Sequence, residues 1–129
     1  MTRVLVVEDD QDIRELLVDS LQDLGYDVME ARDGISGLEK AQAEIPDVML
    51  LDVMMPGLDG FQVLERMMSS PATRSIPVIM VSARGQEQDI KDALKIGAWD
   101  YMIKPWDPDD LESKVLNAES RVQPTHSMP

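Results

Sequence analysis

Val4-Leu5-Val6-Val7-Glu8-Asp9-Asp10 is a short apolar run that ends on acids, and Val48-Met49-Leu50-Leu51-Asp52 has the same design further along the chain. A continuous apolar run of this length suits a strand covered on both faces, as in a parallel sheet. If the two strands lie side by side, the carboxylates of Glu8, Asp9 and Asp52 converge beyond their carboxyl ends. Like charges about 4 Å apart repel by roughly 4 kcal/mol per pair at an effective dielectric near 20. Such a cluster does not serve stability. Hard oxygen donors gathered in one place suit a divalent cation, Mg²⁺ above all.

The rest of the chain alternates strand and helix patterns. Asp9 to Asp12 put negative charge at a helix start, where the macrodipole favours it, and Ile13, Leu16, Leu17, Leu21 and Leu24 follow at helical spacing up to Gly25. Residues 26–31 suit a second strand, Asp33-Gly34 is a turn signal, and Ile35, Leu38, Ala41 and Ile45 mark a second helix closed by Pro46. Beyond Asp52 comes a turn-rich loop, Met54 to Gly60, and then a third helix carrying Phe61, Val63, Leu64, Met67 and Met68. Residues 77–81 form a fourth strand with Ser82 at its end. Ile90, Ala93, Leu94 and Gly97 give a fourth helix and its stop, and residues 101–103 a fifth strand ending on Lys104-Pro105. Pro108 suits a first helical turn, and Leu111, Val115, Ala118 and Val122 give the last amphipathic helix.

Alternation of this kind predicts an α/β fold: a five-stranded parallel sheet with right-handed crossovers and helices on both faces. Ligands of open α/β sheets bind beyond the carboxyl ends of the strands, near the point where strand order reverses. Glu8, Asp9, Asp52, Ser82 and Lys104 all fall at such ends.

Composition narrows the function. The 129 residues suit one domain with a real core, and 43% hydrophobic content argues against disorder. A formal net charge of −13 disfavours direct contact with nucleic acid or an anionic membrane. The absence of cysteine excludes disulfides, thiolate metal sites and cysteine nucleophiles. No apolar run approaches the roughly 18 residues of a membrane span. Met1-Thr2-Arg3 leads straight into a strand pattern, so a cytoplasmic location is expected. Residues 1–122 read as the domain and residues 123–129 as a flexible tail, in which His126 is read as inert.

The motifs Val-Val-Glu8-Asp9-Asp10, Leu-Leu-Asp52-Val-Met-Met-Pro56-Gly57-Leu-Asp59-Gly60, Pro77-Val-Ile-Met-Val-Ser82-Ala83 and Gly97-Ala-Trp-Asp-Tyr101-Met-Ile-Lys104-Pro105 occur together and in this order. With them, the chain resembles the CheY-like receiver domain of two-component response regulators over roughly residues 3 to 120. The resemblance implies the strand order 2-1-3-4-5. It implies that Asp52 is the phosphoacceptor and that Mg²⁺ is held by Glu8, Asp9, Asp52 and the backbone carbonyl of Met54. Asp10 is assigned to the helix start, and the Met54 side chain is expected to pack partly. Ser82 and Lys104 would contact the phosphoryl group, Ala83 would offer its backbone N–H, and the Lys104–Pro105 bond would be cis. Many relatives carry aspartate in place of Glu8 and threonine in place of Ser82.

The same resemblance implies a switch. Ser82 would swing toward the phosphoryl oxygens and Tyr101 would turn inward, the other reading of Tyr101 being an ordinary core aromatic. The fourth helix, fifth strand and fifth helix would then present an altered face to a downstream protein target. Trp99 and Trp106 flank that strand, Trp99 either exposed for a partner or packed on a neighbouring helix. Lys91, Asp100 and Lys114 are candidates for charged pairs in a phosphorylation-dependent dimer, while Leu116 stands where such dimers carry arginine; a monomer is the other expectation. Met54 and Arg84 flank the expected approach of water.

No Gly-x-x-x-x-Gly-Lys loop is present to bind a nucleotide. The phosphoryl group is therefore expected from the phosphohistidine of a sensor histidine kinase or a histidine phosphotransfer protein, or from a small phosphodonor. The chemistry is self-phosphorylation and self-dephosphorylation, not turnover of a free substrate. A stand-alone regulator is favoured over the receiver part of a larger protein with a DNA-binding or enzymatic output domain. Three rivals fit less well. A flavin binder would face repulsion between its phosphate and Glu8-Asp9-Asp10. A phosphatase of the haloacid dehalogenase type wants a second aspartate where Met54 stands. A pseudo-receiver that only binds partners has no need of the full acidic set with Ser82 and Lys104.

Overall fold

The computed structural model describes residues 1–121. The elements run β1 (Arg3–Val7), α1 (Gln11–Asp23), β2 (Asp27–Ala31), α2 (Gly34–Glu44), β3 (Val48–Asp52), α3 (Gly60–Ser69), β4 (Val78–Ser82), α4 (Glu87–Ile96), β5 (Asp100–Ile103) and α5 (Pro108–Glu119). All strand pairs are parallel, in the order β2-β1-β3-β4-β5. The expected topology is thereby met. No helix among the described residues is long and apolar enough to cross a membrane. The expected tail, its His126 and the helical position of Val122 lie outside the described residues.

Strand alternation splits the core in two. Leu5, Val7, Met49 and Leu51 point to the side covered by α2, α3 and α4, where they meet Ala41, Val63, Leu64, Met67 and Ala93. Val4, Val6, Val48 and Leu50 point to the other side and meet Leu17, Val18 and Leu21 of α1 with Leu111, Val115 and Ala118 of α5. Both faces of β1 and β3 are therefore apolar, and no polar residue can be accommodated until the strands end.

Several sequence expectations shift. Strand β2 begins at Asp27, leaving Tyr26 before it; β4 runs one residue later than expected; β5 takes in Asp100; and α5 ends at Glu119. Asp33 does more than mark a turn, because it caps α2 by accepting from the Ser36 N–H at 2.8 Å. Ile35 and Ile45 do not belong to the buried stripe of α2, nor Leu16 to that of α1; all three are exposed. Leu24, the cap residue after α1, is also exposed.

Two glycines permit the close packing around β1 and β3. A Cβ on Gly37 would lie 2.9 Å from both methyls of Val7. One on Gly60 would lie 2.3 Å from the backbone oxygen of Asp52, so α3 can begin directly against the end of β3 only because that residue has no side chain. Asp59 and Gln62 close the start of α3 with a capping box.

Candidate functional site

Register brings the acids together. Val7 is the partner of Leu51, so Glu8 stands beside Asp52 one step beyond the ladder. Asp52 is in turn the partner of Val81, and Ser82 of Ile103, which places Ser82 and then Lys104 along the same edge. Carboxylate oxygens of Glu8, Asp9 and Asp52 all lie within 4.8 Å of one another. Glu8 and Asp52 are buried, whereas Asp9 is exposed.

Each buried carboxylate is held by specific donors. Lys104 Nζ donates to Glu8 Oε1 at 2.7 Å and to Asp52 Oδ1 at 3.3 Å. The Asp10 N–H donates to Glu8 Oε2 at 3.1 Å, and the Met54 N–H to Asp52 Oδ1 at 3.3 Å. Burial, followed by the hydrogen bond and charge of Glu8, pushes the Asp52 carboxyl up to about 7 against the opposing pull of Lys104 and the Met54 N–H. Burial pulls the Lys104 ammonium down, but Glu8 and Asp52 outweigh it and hold the group above its ordinary value. The Lys104–Pro105 bond is cis, as expected.

Asp10 caps α1 by accepting from the Ile13 N–H at 3.0 Å, which separates its role from that of its neighbours. Ser82 is fully buried, and its Oγ accepts from the Arg84 N–H at 2.9 Å. Tyr101 is already turned inward: its hydroxyl donates to the Arg84 carbonyl at 2.6 Å, and burial raises its pKa. Arg84 pairs with Asp89 at 2.6 Å and reaches the Met54 sulfur at 3.6 Å. The Met54 side chain is 55% exposed, and its sulfur is partly covered by the Arg84 guanidinium, in line with the partial packing expected of it.

One contributor escaped the sequence reading. Arg14 Nη1 donates to the backbone carbonyls of Glu8 at 2.9 Å and Asp9 at 3.4 Å, bracing the acidic loop from α1. Its place one helical turn beyond the Asp10 cap is the only signal available from spacing.

On the α4-β5-α5 side, Trp99 packs against the core shared with α1 and α5, and its buried indole N–H has no hydrogen-bond partner among the described residues. Packing is thus the outcome for Trp99, and Trp106 is partly buried against the same core. The charged candidates are engaged within the chain. Lys91 pairs with Glu87 at 3.0 Å, Lys114 with Asp110 at 2.7 Å, and Asp100 accepts from the Tyr101 N–H at 2.8 Å. Ile103 and Leu116 are the exposed large apolar groups of this side.

The donor set fits a hard divalent cation. Three carboxylates meet in one patch, with no thiolate or imidazole among them. Lys104 already supplies one positive charge to Glu8 and Asp52, while Asp9 makes no ion pair among the described residues.

A family model for the response regulator receiver domain matches residues 4–116. The chain belongs to the response regulator receiver family. It is 38% identical over 122 residues to the phosphate regulon transcriptional regulatory protein PhoB of Escherichia coli strain K12, covering 95% of this chain and 53% of that protein. It is 41% identical over 115 residues to the DNA-binding dual master transcriptional regulator RpaA of a Synechocystis strain, covering 89% of this chain and 48% of the relative. The chain thus spans about half the length of these relatives. Among solved structures, a putative response regulator from Chloroflexus aurantiacus superposes with a TM-score of 0.89 at 32% identity, covering 93% of this chain and 98% of the other. The chemotaxis protein CheY4 of Vibrio cholerae gives 0.86 at 30% identity, with 92% and 98% covered. The receiver family is a signalling module of two-component systems rather than a conventional enzyme, and its members interact with histidine kinases.

Proposed function

We propose that the chain accepts a phosphoryl group on Asp52 from a phosphohistidine and uses it as a switch. The observation that carries this reading is one aspartate, buried at a strand end, set between a second buried acid and a lysine. An Asp52 carboxylate oxygen forms a bond to phosphorus as the P–N bond to the donor imidazole breaks. The electron pair leaves with the imidazole, which takes up a proton.

Glu8, Asp9, Asp52 and the Met54 carbonyl would hold Mg²⁺, which supplies charge neutralisation for phosphoryl transfer. The residues then have separate tasks. Lys104, already 3.3 Å from Asp52, offers positive charge to the phosphoryl oxygens. Ser82 has its hydroxyl one step further along the same edge and the Ala83 N–H follows it. The pair Met54 and Arg84 covers the approach of water to the product.

Phosphorylation adds a charge of about −1.5 to −2 at Asp52. Ser82 would leave the Arg84 N–H for the new oxygens. Tyr101, tied to the carbonyl of that same Arg84, carries the movement to the α4-β5-α5 face, where a downstream protein binds. Moving a two-state equilibrium from 1:99 to 99:1 takes about 5.5 kcal/mol, within reach of several charge-assisted hydrogen bonds.

We favour a cytoplasmic, stand-alone receiver that works as a monomer or as a phosphorylation-dependent dimer. A second reading, the receiver part of a transcriptional regulator, is supported by the relatives PhoB and RpaA, which are transcriptional regulators, each about twice the length of the matched segment. The size of the native gene product on an immunoblot separates the two. Transfer of ³²P from a phosphorylated histidine kinase tests the shared claim. Label should appear on the wild-type chain and not on Asp52→Ala; label on the variant contradicts the assignment.

A further inference from the structure

At the carboxyl end of β2, on the edge of the sheet, Arg14, Glu30, Ala31, Arg32, Ser36 and Lys40 line a cavity of about 290 Å³. The chain carries 25 acids against 12 lysines and arginines, yet three cations and a single carboxylate meet here. Arg14 is largely buried and fixed: its Nε donates to Glu30 Oε1 at 3.2 Å, and its Nη1 to the Glu8 and Asp9 carbonyls. Lys40 is tethered by a hydrogen bond to the Glu30 carbonyl. Arg32 makes no hydrogen bond or ion pair among the described residues. Glu30 neutralises one cation, so the lining itself keeps two positive charges in excess, with the Asp33 carboxylate, which caps α2, within electrostatic reach of Arg32.

We propose that this cavity is a binding site for a small phosphate-bearing dianion, separate from the phosphorylation pocket. The charge excess matches a dianion, and the unengaged Arg32 guanidinium provides a planar fork suited to phosphate oxygens, whereas Arg14, with Nε and Nη1 already bonded, adds charge and its remaining Nη2. The Ser36 hydroxyl and the Lys40 ammonium add donors whose present acceptors are backbone carbonyls. The volume lies at the lower end for ligand pockets, enough for a phosphate head group with a small organic remainder. Ala31 pairs with Val7 and Val7 with Leu51, so the cavity floor sits two strand spacings, roughly 10 Å, from the chain at β3. The two sites are therefore distinct, although Arg14 touches both.

Amide NMR of the full chain, in EDTA to keep anions away from bound metal, tests the site. Inorganic phosphate and methyl phosphate are titrated separately at constant ionic strength, with chloride as the reference salt. Saturable shifts at Ala31, Arg32 and Ser36 are expected, with Arg32→Ala and Lys40→Ala each weakening binding by about tenfold. Equal affinity for the two probes supports recognition of the phosphoryl oxygens alone, and tighter methyl phosphate supports a phosphomonoester ligand. The proposal is overturned by shifts that do not saturate, by an equal response to chloride, by shifts centred on Ser82 and Lys104, or by variants that bind as the wild type does.

Discussion

The Lys104 ammonium lies closer to Glu8, at 2.7 Å, than to Asp52, at 3.3 Å. The lysine expected to serve the phosphoryl group, just past β5, is thus held first by an acid just past β1, across β3 and β4, and the extra methylene of a glutamate gives that acid its reach. Lys104 also competes with any cation for the same two carboxylates. Lys104→Met should therefore raise Mg²⁺ affinity several-fold at pH 8, on the order of 1 kcal/mol, while slowing phosphorylation. Isothermal titration calorimetry gives the affinity. A loss of affinity would show that the lysine organises the acids rather than competing for them.

Asp52 sets a pH dependence with a definite sign. Its carboxyl titrates near the ordinary aspartate value of 3.8 when unfolded and at about 7 when folded, so the folded state holds the proton more tightly. The stabilisation from this group is complete below pH about 4 and is lost as pH rises through about 7. In EDTA, Asp52→Asn should be more stable than the wild type at pH 8 by on the order of 2 kcal/mol, with the difference shrinking toward pH 5. Urea denaturation at the two pH values measures this. A difference that does not change with pH would contradict it. Because Mg²⁺ binds the deprotonated acids, wild-type affinity should also climb between pH 6 and pH 8, by roughly tenfold.

Gly60 tests the packing behind the pocket. A methyl group there meets the Asp52 carbonyl at 2.3 Å and the Val53 Cα at 2.7 Å, both backbone atoms that cannot step aside. Gly60→Ala should cost about 1–3 kcal/mol in urea denaturation. It should also slow phosphorylation, because the strain falls on the residue that carries the nucleophile. A variant as stable as the wild type would mean that α3 can withdraw from β3 freely.

Tyr101→Phe removes the hydrogen bond to the Arg84 carbonyl and leaves the ring in the core. Stability should fall by about 1 kcal/mol. Phosphorylation of Asp52 should proceed at the wild-type rate, while the affinity gained by the output face on phosphorylation shrinks. A slowed phosphorylation step would place Tyr101 in the chemistry instead of the relay.

The sheet was readable in the sequence because burial on both faces forces unbroken apolar runs such as residues 4–7 and 48–51, which no amphipathic element imitates. Helix faces were less readable. Ile35 and Leu16 satisfy helical spacing as well as their buried neighbours do, and only the angle at which α2 and α1 lie on the sheet leaves them in water. The acids, Ser82 and Lys104 were legible as strand-end residues, since parallel topology delivers such positions to one edge. The order of preference at Lys104 and the bracing by Arg14 were not. Each depends on where a long side chain reaches, Lys104 to an acid at the far end of the sequence and Arg14 back to the loop before its own helix, which spacing does not encode.

The most direct measurement is intact mass after incubation with acetyl phosphate and Mg²⁺. One added phosphoryl group is expected, absent when a chelator is present and absent from Asp52→Ala. A wild-type chain that stays unmodified under these conditions, or an Asp52→Ala chain that still gains the mass, would contradict the assignment of Asp52 as phosphoacceptor.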